Sequence, residues 1–346
     1  MSALIECVPN FSEGRDLQVV EKIVNSARGI QGCSVLSAEP DADYNRTVVT
    51  LAGMPSAVSE AAFRLIRSAM ENIDMRYQSG EHPRLGAVDV CPFIPLRDSS
   101  YESCAQLAKE LGSRVSTELG IPVYYYGHAA TVPERTVLST LRRGEYEGLE
   151  GRFTGADSKH SELTRLPDEG PVVWNEKIAK FGAVVIGSRP ILVAYNVNLK
   201  ETDARVAKLC GTIVRSSGRL IKSGEKRMRV SGMLSKVQGM GLPLESHGIS
   251  QVSMNLQDVS ITDMHDAFEC IQSLAADHGI STCGSELVGL APLSSFLNAG
   301  RWYHESPNDA SEVELVDAAV KGLGLDSMGP FNPEKRIIEY AAEVNS

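Results

Sequence analysis

Residues 33–69 read CSVLSAEPDADYNRTVVTLAGMPSAVSEAAFRLIRSA, and their order of elements decides the fold. Two strand-like runs, at 33–37 and 47–52, are followed by Pro55, which suits the first position of a helix. Apolar residues then recur with the 3.6-residue period of a buried helix face. The stretch therefore predicts two strands and a helix that packs on them.

The flanking sequence completes a known arrangement. An alternating strand at 3–8 and an amphipathic helix from Leu17 to Ala27 come before this stretch, and an apolar strand at 87–94 follows it. The order βαββαβ is that of the ferredoxin-like, or split βαβ, fold. Further predicted elements are a helix capped by Ser99 or Ser100 and closed by Gly120, and a strand at 122–126.

The same order of elements returns after the polar, glycine-rich stretch 144–170. We therefore predict an α+β protein with two ferredoxin-like (βαββαβ) subdomains, mixed sheets and a ligand cleft between them. The predicted subdomains are 1–180 and 181–330, followed by a tail at 331–346. The predicted elements of the second half are strands at 183–186 and 191–197, a helix at 204–214, strands at 234–240 and 251–256, a helix at 263–276 and a strand at 282–287.

Composition excludes several classes of protein. With 346 residues, of which 42% are hydrophobic, the chain can form two packed domains, and no stretch approaches the roughly 20 apolar residues of a membrane helix. The first residues lack the basic region of a signal peptide. Seven cysteines without C-x-x-C spacing indicate buried free thiols in a reducing cytoplasm. A net charge of −10 disfavours nucleic acid as a partner.

Positive charge is concentrated between Arg205 and Lys236. Nine lysines and arginines there face one acidic residue, Glu225, which leaves eight excess positive charges on an acidic chain. The segment lacks the interleaved aromatic residues of a platform for single-stranded nucleic acid. Two interpretations stay open: a solvated helix face with a basic loop, or a funnel for a small anionic ligand.

Residues 80–95 read GEHPRLGAVDVCPFIP and contain the strongest candidate for acid–base chemistry. Pro83 favours an extended backbone at His82, and imidazole is the side chain best suited to proton transfer near neutral pH. On spacing alone, a lone histidine is more often structural. Asp89 lies within the apolar strand, where an unpaired charge is costly, so we expect it to be paired.

A series of motifs, in order along nearly the whole chain, resembles the glutamate formiminotransferases. Each motif alone is weak, but together they are specific. They are ECVPNFSEG at 6–14, NRTV at 45–48, the stretch 80–95, GEYE at 144–147, AYNVNL at 194–199, KVQG at 236–239, QVSMNL at 251–256, GSELVGL at 284–290 and RIIEY at 336–340.

This resemblance implies an enzyme that transfers a formimino group from N-formimino-L-glutamate to N5 of tetrahydrofolate in histidine degradation. It implies folate as co-substrate in a tunnel between two subdomains, no metal, and a cytoplasmic homodimer. The family's acid–base histidine lies in its Gly-Glu-His-Pro-Arg motif and corresponds to His82. Animal members are fused to a cyclodeaminase; because this chain stops soon after Tyr340, we expect a stand-alone transferase with a separate cyclodeaminase as partner.

Polar positions within the motifs are the candidates for ligand binding. We expect substrate contacts from Asn10, Glu39, Asn45, Arg46 and Arg84, although Glu39 stands where the family has Asp. The family's folate loop begins like residues 167–171, and the match loosens beyond them. The folate-binding candidates are Gly170, Pro171, Val172, Val173, Trp174, Phe181, Gly182, Leu234 and Lys236.

Two alternatives stay open from the sequence. One is formyl transfer in the same site, with N-formylglutamate or 5-formyltetrahydrofolate, because formyl and formimino groups differ only by O against NH. The other is a non-catalytic folate-binding scaffold subunit, which the intact motif around His82 disfavours. Nucleotide-dependent chemistry is disfavoured, since the chain has neither a P-loop nor a strand-linked G-x-G-x-x-G.

Overall fold

The computed structural model of the protein describes residues 3–224 and 226–344, so that Glu225 of the basic segment lies outside the described residues. The chain forms two compact units, one running to Arg189 and joined by the residues from Ala342 onwards, the other spanning Pro190–Ala341. The strands of the first unit are β1 Leu4–Cys7, β2 Asn10–Phe11, β3 Cys33–Asp41, β4 Arg46–Gly53, β5 Val88–Arg97, β6 Val123–Gly127 and β7 Val184–Ser188. Its helices are α1 Leu17–Ser26, α2 Pro55–Asn72, α3 Tyr101–Arg114, α4 Leu138–Leu141, α5 Leu149–Thr154, α6 Glu162–Arg165 and α7 Glu176–Phe181.

The sheet of the first unit has the predicted ferredoxin-like order. Strands β5, β1, β4 and β3 are antiparallel neighbours in that order. Strand β2 continues β1 between β4 and β5. The interruption falls at Pro9, which has no N–H to donate to a ladder. Strands β7 and β6 extend the sheet beyond β5 by parallel pairing, so the sheet is mixed, as expected.

Helix α2 has the buried apolar face that the 3.6-residue period of its sequence predicts. Pro55 opens the helix, and the apolar stripe that includes Val58, Leu65 and Ile66 is completely buried in the core of the first unit. The predicted start of α3 and the predicted closing glycine after it are also confirmed. Ser100 caps the helix with a capping box, and Gly120 ends the turn that follows it with a φ of 63°.

The second unit repeats the topology. Its larger sheet has the order β11-β12-β8-β13, all antiparallel, which is again the ferredoxin-like order, and β9 and β10 form a separate hairpin. Its strands are β8 Val193–Leu199, β9 Arg219–Ser223, β10 Lys226–Val230, β11 Val237–Leu244, β12 Ile249–Leu256 and β13 Thr282–Val288. The helices are α8 Arg205–Val214, α9 Met264–Ala276, α10 Leu293–Tyr303, α11 Glu312–Leu323, α12 Pro333–Arg336 and α13 Ile338–Val344, which runs across the division at residue 341.

The structure differs from the sequence analysis in three places. The strand predicted at 183–186 is β7, and it belongs to the first sheet, because it pairs in parallel with β5 and β6. Residues 331–346 were expected to form a tail, but α12 and α13 occupy much of this segment, and Ile337 and Ile338 are buried. The basic segment includes the hairpin β9–β10, where only a loop was expected.

The described residues contain neither a membrane-spanning helix nor a cluster of metal-binding side chains. Within the described ranges, no helix is long and apolar enough to cross a membrane. The same part of the chain contains no group of three or more His, Cys, Asp or Glu side chains that could hold a metal ion. All seven cysteines are free thiols, and five of them are buried, as expected from their apolar sequence surroundings.

Candidate functional site

The His82 loop, residues 78–86, leads into β5 and lies tightly against backbone on two sides. A Cβ atom on Gly80 would come within 2.3 Å of the Tyr44 carbonyl oxygen. A Cβ atom on Gly86 would come within 2.5 Å of the carbonyl oxygen of Ala183. Only glycine permits such close approach, so both ends of the loop are fixed in position.

We expect Gly86→Ala to lower the free energy of unfolding by about 1–3 kcal/mol, because a backbone carbonyl cannot rotate away from the added methyl group. Urea unfolding followed by circular dichroism measures the change. The matched control is Gly151→Ala in α5, where the nearest atom would lie 3.5 Å from the new Cβ. There alanine favours the helix by up to about 1 kcal/mol, and an equal loss in both variants would contradict tight packing at Gly86.

Arg84 anchors the loop through two acidic side chains. Its guanidinium donates to Glu145 at 3.2 Å and to Glu147 at 2.6 Å, and also to the Gln78 carbonyl at 3.1 Å. The Tyr146 N–H donates to the Arg84 carbonyl at 2.8 Å. The GEYE motif therefore holds the His82 loop in place. Arg84, a candidate for substrate binding, is buried and engaged by protein carboxylates.

Asn45 ties the first motif to the loop. Its backbone is left-handed, with a φ of 48°, a conformation in which asparagine is enriched. Its side-chain oxygen accepts from the Gly14 N–H at 3.1 Å, and its amide nitrogen donates to the Ser79 carbonyl at 3.0 Å. Gln78 donates in turn to the Glu13 carboxylate at 2.9 Å. Both ends of the Asn45 amide thus position the loop.

His82 itself is partly exposed, and its ring meets that of Tyr44 edge-on, with centroids 6.3 Å apart. Burial and the positive charges of Arg46 and Arg142 lower the pKa of His82 to about 4, while the negative charge of Asp89 acts in the opposite direction. The imidazole is therefore neutral at pH 7, which is the form that accepts a proton.

Arg142 is a site residue that the sequence analysis missed. It follows α4 and pairs with the carboxylate of Asp89, which is only 2% exposed and also accepts from the Leu85 N–H at 2.9 Å. The expectation that Asp89 is paired is confirmed. The sequence did indicate that Asp89 needs a positively charged partner, because a buried carboxylate without one is costly. It did not indicate which of the arginines that partner is.

Arg46 is the other cation beside His82. Its guanidinium lies 5.7 Å from the centre of the Tyr44 ring, and its Nε is buried with no hydrogen-bond partner in the described part of the chain. Burial and the charge of Arg142 lower the pKa of Arg46. Two neighbouring arginines, one with an unpartnered Nε, favour binding of an anion.

Asn10, Glu39 and Arg46 share one face of the first sheet. Val48 is the cross-strand partner of both Asn10 and Glu39, and Arg46 lies two residues before Val48 on the same strand. Val49, which points to the opposite face, is in the core. The structure thus brings three of the five predicted substrate-binding residues to the face opposite the core.

The folate candidates fall into different surroundings. Val172 and Val173 are exposed at 50% and 72%, and the Trp174 ring lies 5.8 Å from that of Phe153. Phe181 is completely enclosed in the core, and a Cβ on its neighbour Gly182 would meet the Leu85 carbonyl. Phe181 and Gly182 therefore pack against the end of the His82 loop, at Leu85 and Gly86. The remaining candidates are Gly170, which is exposed, Pro171 and Leu234, which are partly exposed, and Lys236, which is exposed with a φ of 58°.

We expect Arg46→Gln to raise the pKa of His82 from about 4 towards its ordinary value, because one of two lowering positive charges is removed. Titration of the imidazole signals by NMR, with His82→Asn to assign the resonance, measures the change. The control is Arg28→Gln, at an exposed position outside the causes of the His82 shift. An unchanged midpoint in Arg46→Gln would show that the charge of Arg46 does not contribute to the lowered pKa of His82.

Comparison with known proteins places both units in one family. Residues 4–189 match the family described as "Formiminotransferase domain, N-terminal subdomain", and residues 194–343 match "Formiminotransferase domain". The chain is 36% identical to a glutamate formimidoyltransferase of Streptococcus pyogenes, covering 88% of this chain and 94% of that protein. A relative with the same name from Thermoplasma acidophilum is also 36% identical, over 87% and 92%.

Longer relatives are also similar. The chain is 40% identical to the formimidoyltransferase-cyclodeaminase of Rattus norvegicus over 98% of its own length. It spans 60% of that protein, and the same share of the corresponding protein of Mus musculus. The similarity therefore covers part of the longer relatives and nearly the whole of the shorter ones.

Proposed function

The chain belongs to the formiminotransferase family, and we propose that it transfers the formimino group of N-formimino-L-glutamate to N5 of tetrahydrofolate, releasing L-glutamate. The observation that carries this proposal is a neutral, partly exposed His82 beside two arginines, in a chain whose two units both match the family. The reaction needs a base that is unprotonated at neutral pH and cationic sites for carboxylates, and His82 with its two neighbouring arginines can supply both.

We propose that His82 moves the proton of the reaction. N5 attacks the formimino carbon and must lose a proton, while the glutamate nitrogen must gain one before its bond to that carbon breaks. The imidazole accepts the first proton and returns it to the leaving nitrogen, acting as base and then as acid. One residue thus accepts and returns the same proton. The products are 5-formiminotetrahydrofolate and glutamate.

Arg46 and Arg142 are proposed to couple substrate binding to this proton transfer. Without an anion, their positive charges hold the pKa of His82 at about 4, which makes it a weak base. A substrate carboxylate bound at Arg46 would add a negative charge beside the imidazole and raise its pKa towards neutrality. The base would then become stronger when substrate is present.

The polar face of the first sheet and the exposed residues after Gly170 are the proposed contact regions for the two substrates. Arg46 is the proposed partner of a glutamate carboxylate, with Asn10 and Glu39 on the same face. Val172, Val173 and Trp174 are the proposed apolar contacts of folate. We further propose that the protein acts in the cytoplasm as a homodimer and that a separate cyclodeaminase consumes its product.

A direct assay tests the proposed function. Purified protein is incubated with tetrahydrofolate and N-formimino-L-glutamate, and the folate product and free glutamate are measured together. Equal amounts of both are expected. N-Formylglutamate in place of the formimino donor tests the formyl alternative, and binding of tetrahydrofolate without turnover of either donor would favour a scaffold.

A further inference from the structure

Residues 141–147 form a short segment that lies against the candidate site. Arg142, near its start, pairs with the carboxylate of Asp89, and its two glutamates pair with Arg84. Between these ion pairs the backbone of Glu145 is left-handed, with a φ of 56°, which is uncommon for a residue other than glycine. The segment therefore turns sharply inside the site, and the place of Arg142 depends on what fixes the backbone around it.

Arg152, in α5, provides that fixation. Its side chain is completely buried. Its Nη2 donates to the Leu141 carbonyl at 2.6 Å and to the Arg143 carbonyl at 2.8 Å. These carbonyls belong to the two residues that flank Arg142. One guanidinium nitrogen thus holds the backbone on both sides of Arg142.

The partners of Arg152 are unusual for a buried cation. Both acceptors of its Nη2 are backbone carbonyls, which carry no full charge to balance that of the guanidinium. A buried arginine normally pairs with a carboxylate, as Arg135 does with Asp168 in the same unit, because an unpaired buried charge is costly. The nearby carboxylate of Asp157 is paired with His160 instead. Such a cost is typical of positions that serve a functional site.

We propose that Arg152 is a positioning residue for the reaction, which holds both flanks of Arg142 and thereby keeps the Arg142 guanidinium beside Asp89 and His82. The inference rests on the proposed function, because it concerns the base of that reaction. Arg142 is itself 17% exposed, so its side chain has room to move once the backbone beneath it is released. A displacement of Arg142 would change the electrostatic field at the imidazole.

Any effect of Arg152 on His82 is indirect. The charged side chains that mainly set the pKa of His82 are Arg46, Arg142 and Asp89, and Arg152 is not among them. The charged and titratable groups that face Arg152 are Tyr124, Arg135, Asp157 and His160. None of these is among the main influences on the pKa of His82 either. A change in that pKa on substitution of Arg152 would therefore report on the position of Arg142.

NMR titration of the His82 imidazole, in the full chain and without substrate, tests the proposal. In Arg152→Met the two carbonyls lose their donor and Arg142 is released, so the pKa of His82 is expected to rise from about 4 towards its ordinary value. Arg142→Met alone is expected to raise it as well. Adding Arg152→Met to that variant should cause no further rise, because no guanidinium is left to be positioned.

The matched control is Arg135→Met. Arg135 is also buried and also donates to two backbone carbonyls, those of Leu163 and Leu166, but these do not flank Arg142. Its loss should lower the stability to urea and leave the His82 midpoint and kcat unchanged. In Arg152→Met, kcat is expected to fall about 10-fold, and the acidic limb of kcat/KM should move to higher pH because the base is protonated earlier.

Three results would overturn the proposal: an unchanged His82 midpoint in folded Arg152→Met, an equal rise in Arg135→Met, or a further rise when Arg152→Met is added to Arg142→Met. If Arg152→Met does not fold by circular dichroism, Arg152→Gln, which loses the charge and keeps a single amide donor group, decides in the same way. The titration needs no substrate. Failure of the wild-type protein to transfer a formimino group would therefore count against the proposed function and leave the position of Arg142 to be judged by the midpoints.

Discussion

We expect His82→Ala to lose about 10²- to 10⁴-fold in kcat while keeping its fold and its affinity for tetrahydrofolate. The loss is that of a general base and acid. The fold should persist because Arg84 and Asn45, rather than His82, anchor the loop to the rest of the first unit. Steady-state kinetics with both substrates, together with calorimetry of tetrahydrofolate binding, measures the two effects separately.

The matched control is His278→Ala, which removes an exposed histidine after α9 in the second unit and should leave kcat unchanged. Full activity in His82→Ala would exclude His82 from the chemistry. A parallel loss of folate affinity and thermal stability would indicate that the loop had collapsed, and the kinetic loss would then no longer report on proton transfer.

The order of elements could be predicted because its signals are local. The periodicity from Val58 to Ile66, the proline at position 55 and the cap at Ser100 each depend on a few neighbouring residues, and all are confirmed. The second half follows the same logic, and β8, α8, α9 and β13 appear within a few residues of their predicted positions. Local signals thus determined the ferredoxin-like repeat.

Pairing and charge partners could not be predicted because they depend on distant parts of the chain. The sequence of a buried strand such as β7 does not indicate which sheet the strand joins. Its parallel pairing with β5 and β6 assigns it to the sheet of the first unit. Arg142 lies 53 positions from Asp89, and no periodicity links the two. His82 was identified by a motif, whereas the charges that set its pKa come from Arg46 and Arg142 through the fold.

The second large effect is expected at Asp89. Asp89→Ala removes the partner of Arg142 and the acceptor of the Leu85 N–H, so we expect the free energy of unfolding to fall by about 3–5 kcal/mol. The cost arises because Arg142 is left as a largely buried, unpaired cation. Urea unfolding measures it, and Asp203→Asn, in an exposed pair with Arg205, is the control for which no measurable loss is expected.

A double variant separates the ion pair from the packing around it. In Asp89→Ala with Arg142→Met, the unpaired cation is gone, so much of the lost stability should return, and the difference from the two single variants gives the coupling free energy. The same variants act on His82 in opposite directions. Removing the negative charge of Asp89 should lower the pKa of His82 further, whereas removing Arg142 should raise it. If stability and pKa both stayed unchanged in Asp89→Ala, the Asp89–Arg142 pair would neither hold the site together nor set the charge state of its base.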